Sequence, residues 1–125
     1  MPKLSYTASK GLVSTPGEGI DIEKANATCS TNAATANGSA GVITTEVLTV
    51  TAGDTSALQT ISNSRVNVDS TILLTAEVAA DNAVGGVPVA HIVAITANQF
   101  TFKITNIKGA GGNINKAVKV HYIVL

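Results

Sequence analysis

The chain has 125 residues, enough for one domain with a single core, and its residues are 45% apolar but only 3% aromatic, so that core must be built from Val, Ile, Leu and Ala. Charged residues make up 13%, about half the usual share, and the formal net charge is zero, which leaves the surface with little electrostatic protection against association. Arg65 is the one arginine and the lysines are scattered without interleaved aromatics, which excludes a nucleic-acid binder; no apolar run approaches the ~20 residues of a membrane span; and the lone Cys29 excludes an intrachain disulfide or a cysteine-based zinc site.

In chain order, Met1 to Tyr6 lacks the apolar core of a signal peptide, so the protein is expected to be made and kept in the cytosol, or to leave by lysis or in a particle. Residues 5–19 hold two turn signals and only brief apolar pairs, with Tyr6, Leu12 and Val13 as the candidate contact residues. Residues 25–41 are close to low complexity in Ala, Thr, Asn, Ser and Gly. Alone, such a segment would be disordered, and it orders most readily when laid along another surface. Residues 1–40 are therefore expected to form an extended N-terminal arm, and residues 41–125 a β-sandwich domain.

From Val42 the pattern changes to strands. The Thr- and Val-rich stretch 42–51 closes at Ala52-Gly53-Asp54, 57–61 alternates briefly into the turn-rich 62–70, and 71–78 ends at the turn signals Asp81-Asn82 and Gly85-Gly86. Pro88 opens a strand to Thr96, a position where the lost amide costs little. In 100–107 strict alternation puts Phe100, Phe102 and Ile104 on one face, and after the Gly-rich loop 109–113 the last strand groups Val118, Val120, Tyr122 and Val124. Its other face runs Lys119, His121, Ile123, Leu125, polar at first and apolar at the end. A strand that stays apolar to its last residue is expected to be covered, so Ile123 and Leu125 are candidate residues of a subunit or shell interface.

Six short strands with no helical period predict an all-β, antiparallel two-sheet sandwich of jelly-roll or Greek-key type. The expected core is Val42, Leu48, Val50, Ile72, Leu74, Val93, Ile95, Phe100, Phe102, Ile104, Val118, Val120 and Tyr122. His91, on the face of Val89, Val93 and Ile95, has no Cys or carboxylate beside it in sequence and reads as a core or interface histidine, as does His121. Asp54, Asp69 and Asp81 lie in turns, which aspartate favours, and offer no calcium loop. The Gly109–Asn113 run is followed by a strand rather than a helix N-terminus, so it is a hairpin loop and not a phosphate cradle. No nucleophile motif or carboxylate pair is visible, and no catalytic, cofactor or metal residue is assigned.

Residues 61–75, with their Asn-Ser turn and Ser-Thr-Ile-Leu-Leu-Thr strand, together with Phe100-Thr-Phe-Lys-Ile-Thr-Asn-Ile107 and the apolar strand 118–125, resemble the layout of small structural proteins of tailed bacteriophages, above all capsid decoration (cement or head-fibre) proteins. The resemblance covers about the last two thirds of the chain. It implies a homotrimeric, β-rich, non-enzymatic virion protein on the outer surface of a capsid, with the major capsid protein and its own copies as partners and no nucleic acid, membrane or cofactor. A tail-fibre or baseplate component is the alternative within that class. A receptor- or carbohydrate-binding sandwich module is the alternative outside it, set back by the scarcity of aromatic rings free to stack on sugars.

Overall fold

The computed structural model describes residues 4–7, 11–14, 22–78 and 85–125, with 4–7, 11–14 and Val78 treated by their backbone alone. The described residues form ten strands: β1 (Leu4–Thr7), β2 (Gly11–Ser14), β3 (Ala27–Thr28), β4 (Ala33–Thr35), β5 (Ala40–Thr44), β6 (Gln59–Ser62), β7 (Ile72–Val78), β8 (Pro88–Thr96), β9 (Gln99–Asn106) and β10 (Val118–Val124). Among the described residues there is no helix. β1 and β2 make a two-stranded antiparallel ribbon, and the rest form two four-stranded sheets in the orders β3-β5-β10-β7 and β4-β6-β9-β8. The expected all-β sandwich is thus present.

Its sheets are mixed rather than antiparallel. β3 runs parallel to β5 and β4 parallel to β6, while the remaining neighbours are antiparallel. Both parallel strands come from the segment expected to lie in the arm, so the boundary at residue 40 is corrected: residues 22–40 belong to the sandwich and bury Cys29, Ala36 and Ala40. The physical reason is side-chain size. Small residues let this segment approach closely, and Ala25, Ala27 and Ala34 also pack on the core although none is large enough to mark a strand by hydropathy. A two-residue turn between β3 and β4 reverses the chain, with Ser30 and Ala33 exchanging backbone hydrogen bonds of 2.9 and 3.1 Å and with Thr31 and Asn32 both at positive φ (52° and 58°). Asn32 is held there by its amide, which donates to Glu46 Oε2 at 2.9 Å, and by its side-chain oxygen, which accepts from Gln59 Nε2 at 3.0 Å.

The core lies between the sheets. Phe100, Phe102 and Ile104 of β9 face Val118, Val120 and Tyr122 of β10, all at most 1% exposed, and the rings of Phe100 and Tyr122 meet at 6.0 Å between centroids. Leu48, Val50 and Ile72 are buried as expected, and Leu74 and Ile95 are packed against this core. Two expected core residues are not. Val42 is half-buried on the outer face because its neighbour Ile43 takes the inward position opposite Val120. Val93 is 49% exposed because a bulge between Ile92 and Ala94 reverses the parity of β8, so that Ile92 and Ile95 both turn inward. The same strand leaves His91 exposed, so the core reading of this histidine is corrected. The strand expected over 42–51 stops at Thr44, where the buried Thr45 accepts the amide of Val118 on its hydroxyl at 2.9 Å; beyond it Val50 bridges to Ile114.

Asn106 closes one end of the sandwich. It is fully buried, and its amide nitrogen donates to the carbonyls of Val50 (3.1 Å) and Gly112 (2.7 Å) while its oxygen accepts from the amides of Val87 (3.0 Å) and Lys108 (3.2 Å). Four bonds saturate this side chain. Asn106→Ala should therefore cost about 3 kcal/mol or more, because it unties three segments and strands the buried carbonyls of Val50 and Gly112, and Phe102→Ala should cost about 3–5 kcal/mol. Urea unfolding of each variant against the parent chain measures both; a loss below 1 kcal/mol at Asn106 would show that water replaces the bonds, on the same scale.

Candidate functional site

The outer face of the β3-β5-β10-β7 sheet is built by strand alternation. Its cross-strand rows follow from register: Thr28, Thr44, Lys119 and Glu77 in one, Val42, His121 and Thr75 in the next, then Ala40, Ile123 and Leu73. Beyond them Leu125 and Thr71 exchange backbone hydrogen bonds of 2.8 and 3.0 Å, which continues the pairing past the end of β10. One end of the face is polar and the other apolar.

Two shallow grooves, of about 480 Å³ at the polar end and about 410 Å³ reaching Ala40 and Ile123, run into one another through the shared residues Asn26, Val42 and His121. Asn26 stands where it does because its side-chain oxygen accepts the amide of Val42 at 2.9 Å. Glu77 Oε1 lies 3.6 Å from His121 Nε2 and 4.0 Å from Lys119 Nζ, so one carboxylate faces two basic groups across β10, the imidazole being charged only when protonated. All three side chains are roughly half exposed, which keeps these contacts weak in stability terms and leaves the groups available to a partner. Hydroxyls of Thr28 and Thr44 complete the polar lining. Such a set can donate and accept hydrogen bonds and balance charge of either sign. Among the described residues no group of three or more His, Cys, Asp or Glu converges as a metal site would require.

At the apolar end Leu73, Ile123 and Leu125 are 54%, 40% and 73% exposed. Ile123 and Leu125 were expected from the sequence to share a face, and the structure places them on one. Leu73, directly opposite Ile123, was missed, although Leu73, Thr75 and Glu77 alternate outward along β7 and carried the signal. Asn26 and Thr28 were missed because their segment reads as an arm. Of the other candidate residues, Tyr6 pairs with Leu12 and Val13 with Ser5 across the β1–β2 ribbon. Neither family models, nor curated proteins, nor solved structures give a match for this chain.

Behind the polar end lies Cys29, 4% exposed, whose thiol is pushed up from 9.0 to about 11, chiefly by burial and secondarily by the negative charge of Glu46. Burial also raises the Tyr122 hydroxyl above its ordinary 10.0. The folded chain thus holds both protons more tightly than the unfolded chain does, and stability falls with rising pH. The thiol contribution is complete below pH 9 and is lost as pH climbs from 9 through about 11, with the tyrosine adding to the loss above pH 10. Thermal melts across this window should show a steeper alkaline decline for the parent than for Cys29→Ala; parallel declines would remove the thiol from the account.

Proposed function

We propose that this protein is a non-enzymatic structural component of a virion that binds the outer surface of a capsid and stabilises or decorates it, acting as a homo-oligomer, a trimer by the resemblance noted above. The observation that carries the reading is the outer face of the β3-β5-β10-β7 sheet: a broad surface, polar at one end and apolar at the other, on a body fixed by a buried two-sheet core. A low surface charge and zero net charge support it further, since they favour contact with other protein surfaces over steering of charged small ligands. The winding, which we read as of Greek-key type, is consistent with it. β10 pairs with β7, β7 lies against β8, and β8 pairs with β9, which is the order 4-1-2-3 around the sandwich.

Co-sedimentation with intact phage shells stripped of their outer proteins tests the reading. Saturable binding is expected, weakened at least tenfold by a Lys119→Glu change that reverses one charge of the polar end. Shells that leave the protein in the supernatant, together with strong selective binding on a glycan array, would instead assign the face to carbohydrate recognition.

A further inference from the structure

We infer that β7 is the interaction edge of the sandwich: it pairs antiparallel with β7 of a second copy across a two-fold axis, joining the two β3-β5-β10-β7 sheets into one. This goes beyond the shell-binding reading and does not depend on it. The two four-stranded sheets have four edge strands, and three of them carry a feature that discourages pairing with another chain. β3 and β4 have only two and three residues, while β8 opens on Pro88 and is bent by the bulge between Ile92 and Ala94. β7 has none of these. Its seven residues pair with β10 without a register shift and include no Pro, Gly or Lys.

The free side of β7 follows from its ladder with β10. Thr71 and Leu125 exchange both backbone hydrogen bonds, so alternation makes Leu73, Thr75 and Glu77 the residues that bond to β10 and points the N–H and C=O groups of Ile72, Leu74 and Ala76 away from it. Among the described residues no strand pairs with these groups. A second β7 turned end for end presents the same groups at the same spacing, which makes the edge its own complement. Charge allows the approach, because the single ionised side chain of β7, Glu77, already faces Lys119 and His121 of its own chain. Side chains on the outer face select the register. With Leu74 on the axis, Ile72 pairs with Ala76 of the second copy, Leu73 lies opposite its Thr75, and Glu77 opposite its Thr71. Moving the axis to Thr75 would set Leu73 against Glu77 of the second copy, and moving it to Leu73 would bring Glu77 towards Asp69 of the second copy; both are unfavourable. In the selected register both outer faces look to the same side of one continuous sheet.

The test uses the isolated full-length protein with no shell, so that failure here leaves the shell-binding reading standing. Light scattering at micromolar concentration should give an even multiple of the 12.6 kDa chain mass, so that the trimer drawn from the resemblance forms only by joining pairs into a hexamer. A monomer or a bare trimer would overturn the inference. The double variant Leu73→Lys/Thr75→Lys sets like charges opposite one another across the axis, on exposed positions that the core does not use, and should separate the pairs with circular dichroism unchanged. Pairs that survive it would also overturn the inference. Amide exchange identifies the edge. The amides of Ile72, Leu74 and Ala76 should be protected in the parent and exchange about tenfold faster or more in the double variant, while those of Leu73, Thr75 and Glu77 keep the protection that β10 gives them. Equal exchange at Ile72, Leu74 and Ala76 in the two proteins would place the contact elsewhere and overturn the assignment of β7. The register is read by oxidation in a Cys29→Ala background, where mixed Leu73→Cys and Thr75→Cys chains should form the disulfide between the two kinds of chain in preference to either self-disulfide. A dominant self-disulfide would overturn the register.

Discussion

The hydroxyl of Tyr122 donates to the carbonyl of Ala25 at 2.9 Å, and the rest of the fold hangs on that contact. Tyr122 sits on β10 at the centre of one sheet, its ring meets Phe100 of the other, and its hydroxyl reaches the segment that feeds β3. One side chain thus ties both sheets to the N-terminal part of the sandwich. Room for this arrangement comes from Gly41, opposite Tyr122 in register, where an added Cβ would lie 1.9 Å from the Ala25 oxygen. A glycine at that point lets β3 close on β5, and only then can β3 and β4 extend the two sheets by parallel pairing.

Buried asparagines do for the loops what the aromatic contact does for the sheets. Asn106 gathers the ends of three segments at one end of the sandwich. Asn63, 1% exposed, donates to the Gly38 carbonyl at 2.9 Å and accepts the Arg65 amide at 2.8 Å, joining the turn after β6 to the loop between β4 and β5. The Glu23–Arg65 ion pair crosses the same region at the surface. With so few aromatic residues the apolar core alone has limited reach, and these buried amides hold the loops at its ends. Their bonds are worth most because they are buried.

How much of this was legible in the sequence follows from how sharply each segment sorts its two faces. β9 and β10 were readable residue by residue, since Phe100, Phe102 and Ile104, then Val118, Val120 and Tyr122, are buried and alternate with residues that are more exposed or polar. β8 was readable as a strand but not in its facing, because a one-residue bulge reverses parity and leaves no mark on hydropathy. In β5 the adjacent Val42 and Ile43 offered two phases, and only pairing with β10 selects Ile43. Residues 22–40 were misread for a different reason. Ala, Thr, Ser and Asn look alike in a disordered arm and in a strand that must lie close to its neighbour, and the deciding partner, Gly41 with Tyr122, is distant in sequence. The polar groove was lost with them, since Asn26 and Thr28 form one of its walls, whereas Ile123 and Leu125 stood out as apolar residues following Lys119 and His121 on one face.

That face carries the functional argument because its gradient serves no internal purpose. The inner side of β10 already provides the packing the sandwich needs, and replacing Ile123 or Leu125 by threonine would leave the core untouched. Apolar side chains exposed on a regular sheet cost solubility, all the more on a chain of zero net charge. Covering these side chains would remove that cost, and in the proposed assembly the polar groove beside them would orient the partner. The core makes the face rigid, and in the proposed assembly burial of its apolar end would supply affinity while Glu77, Lys119 and His121 would supply register at the other end.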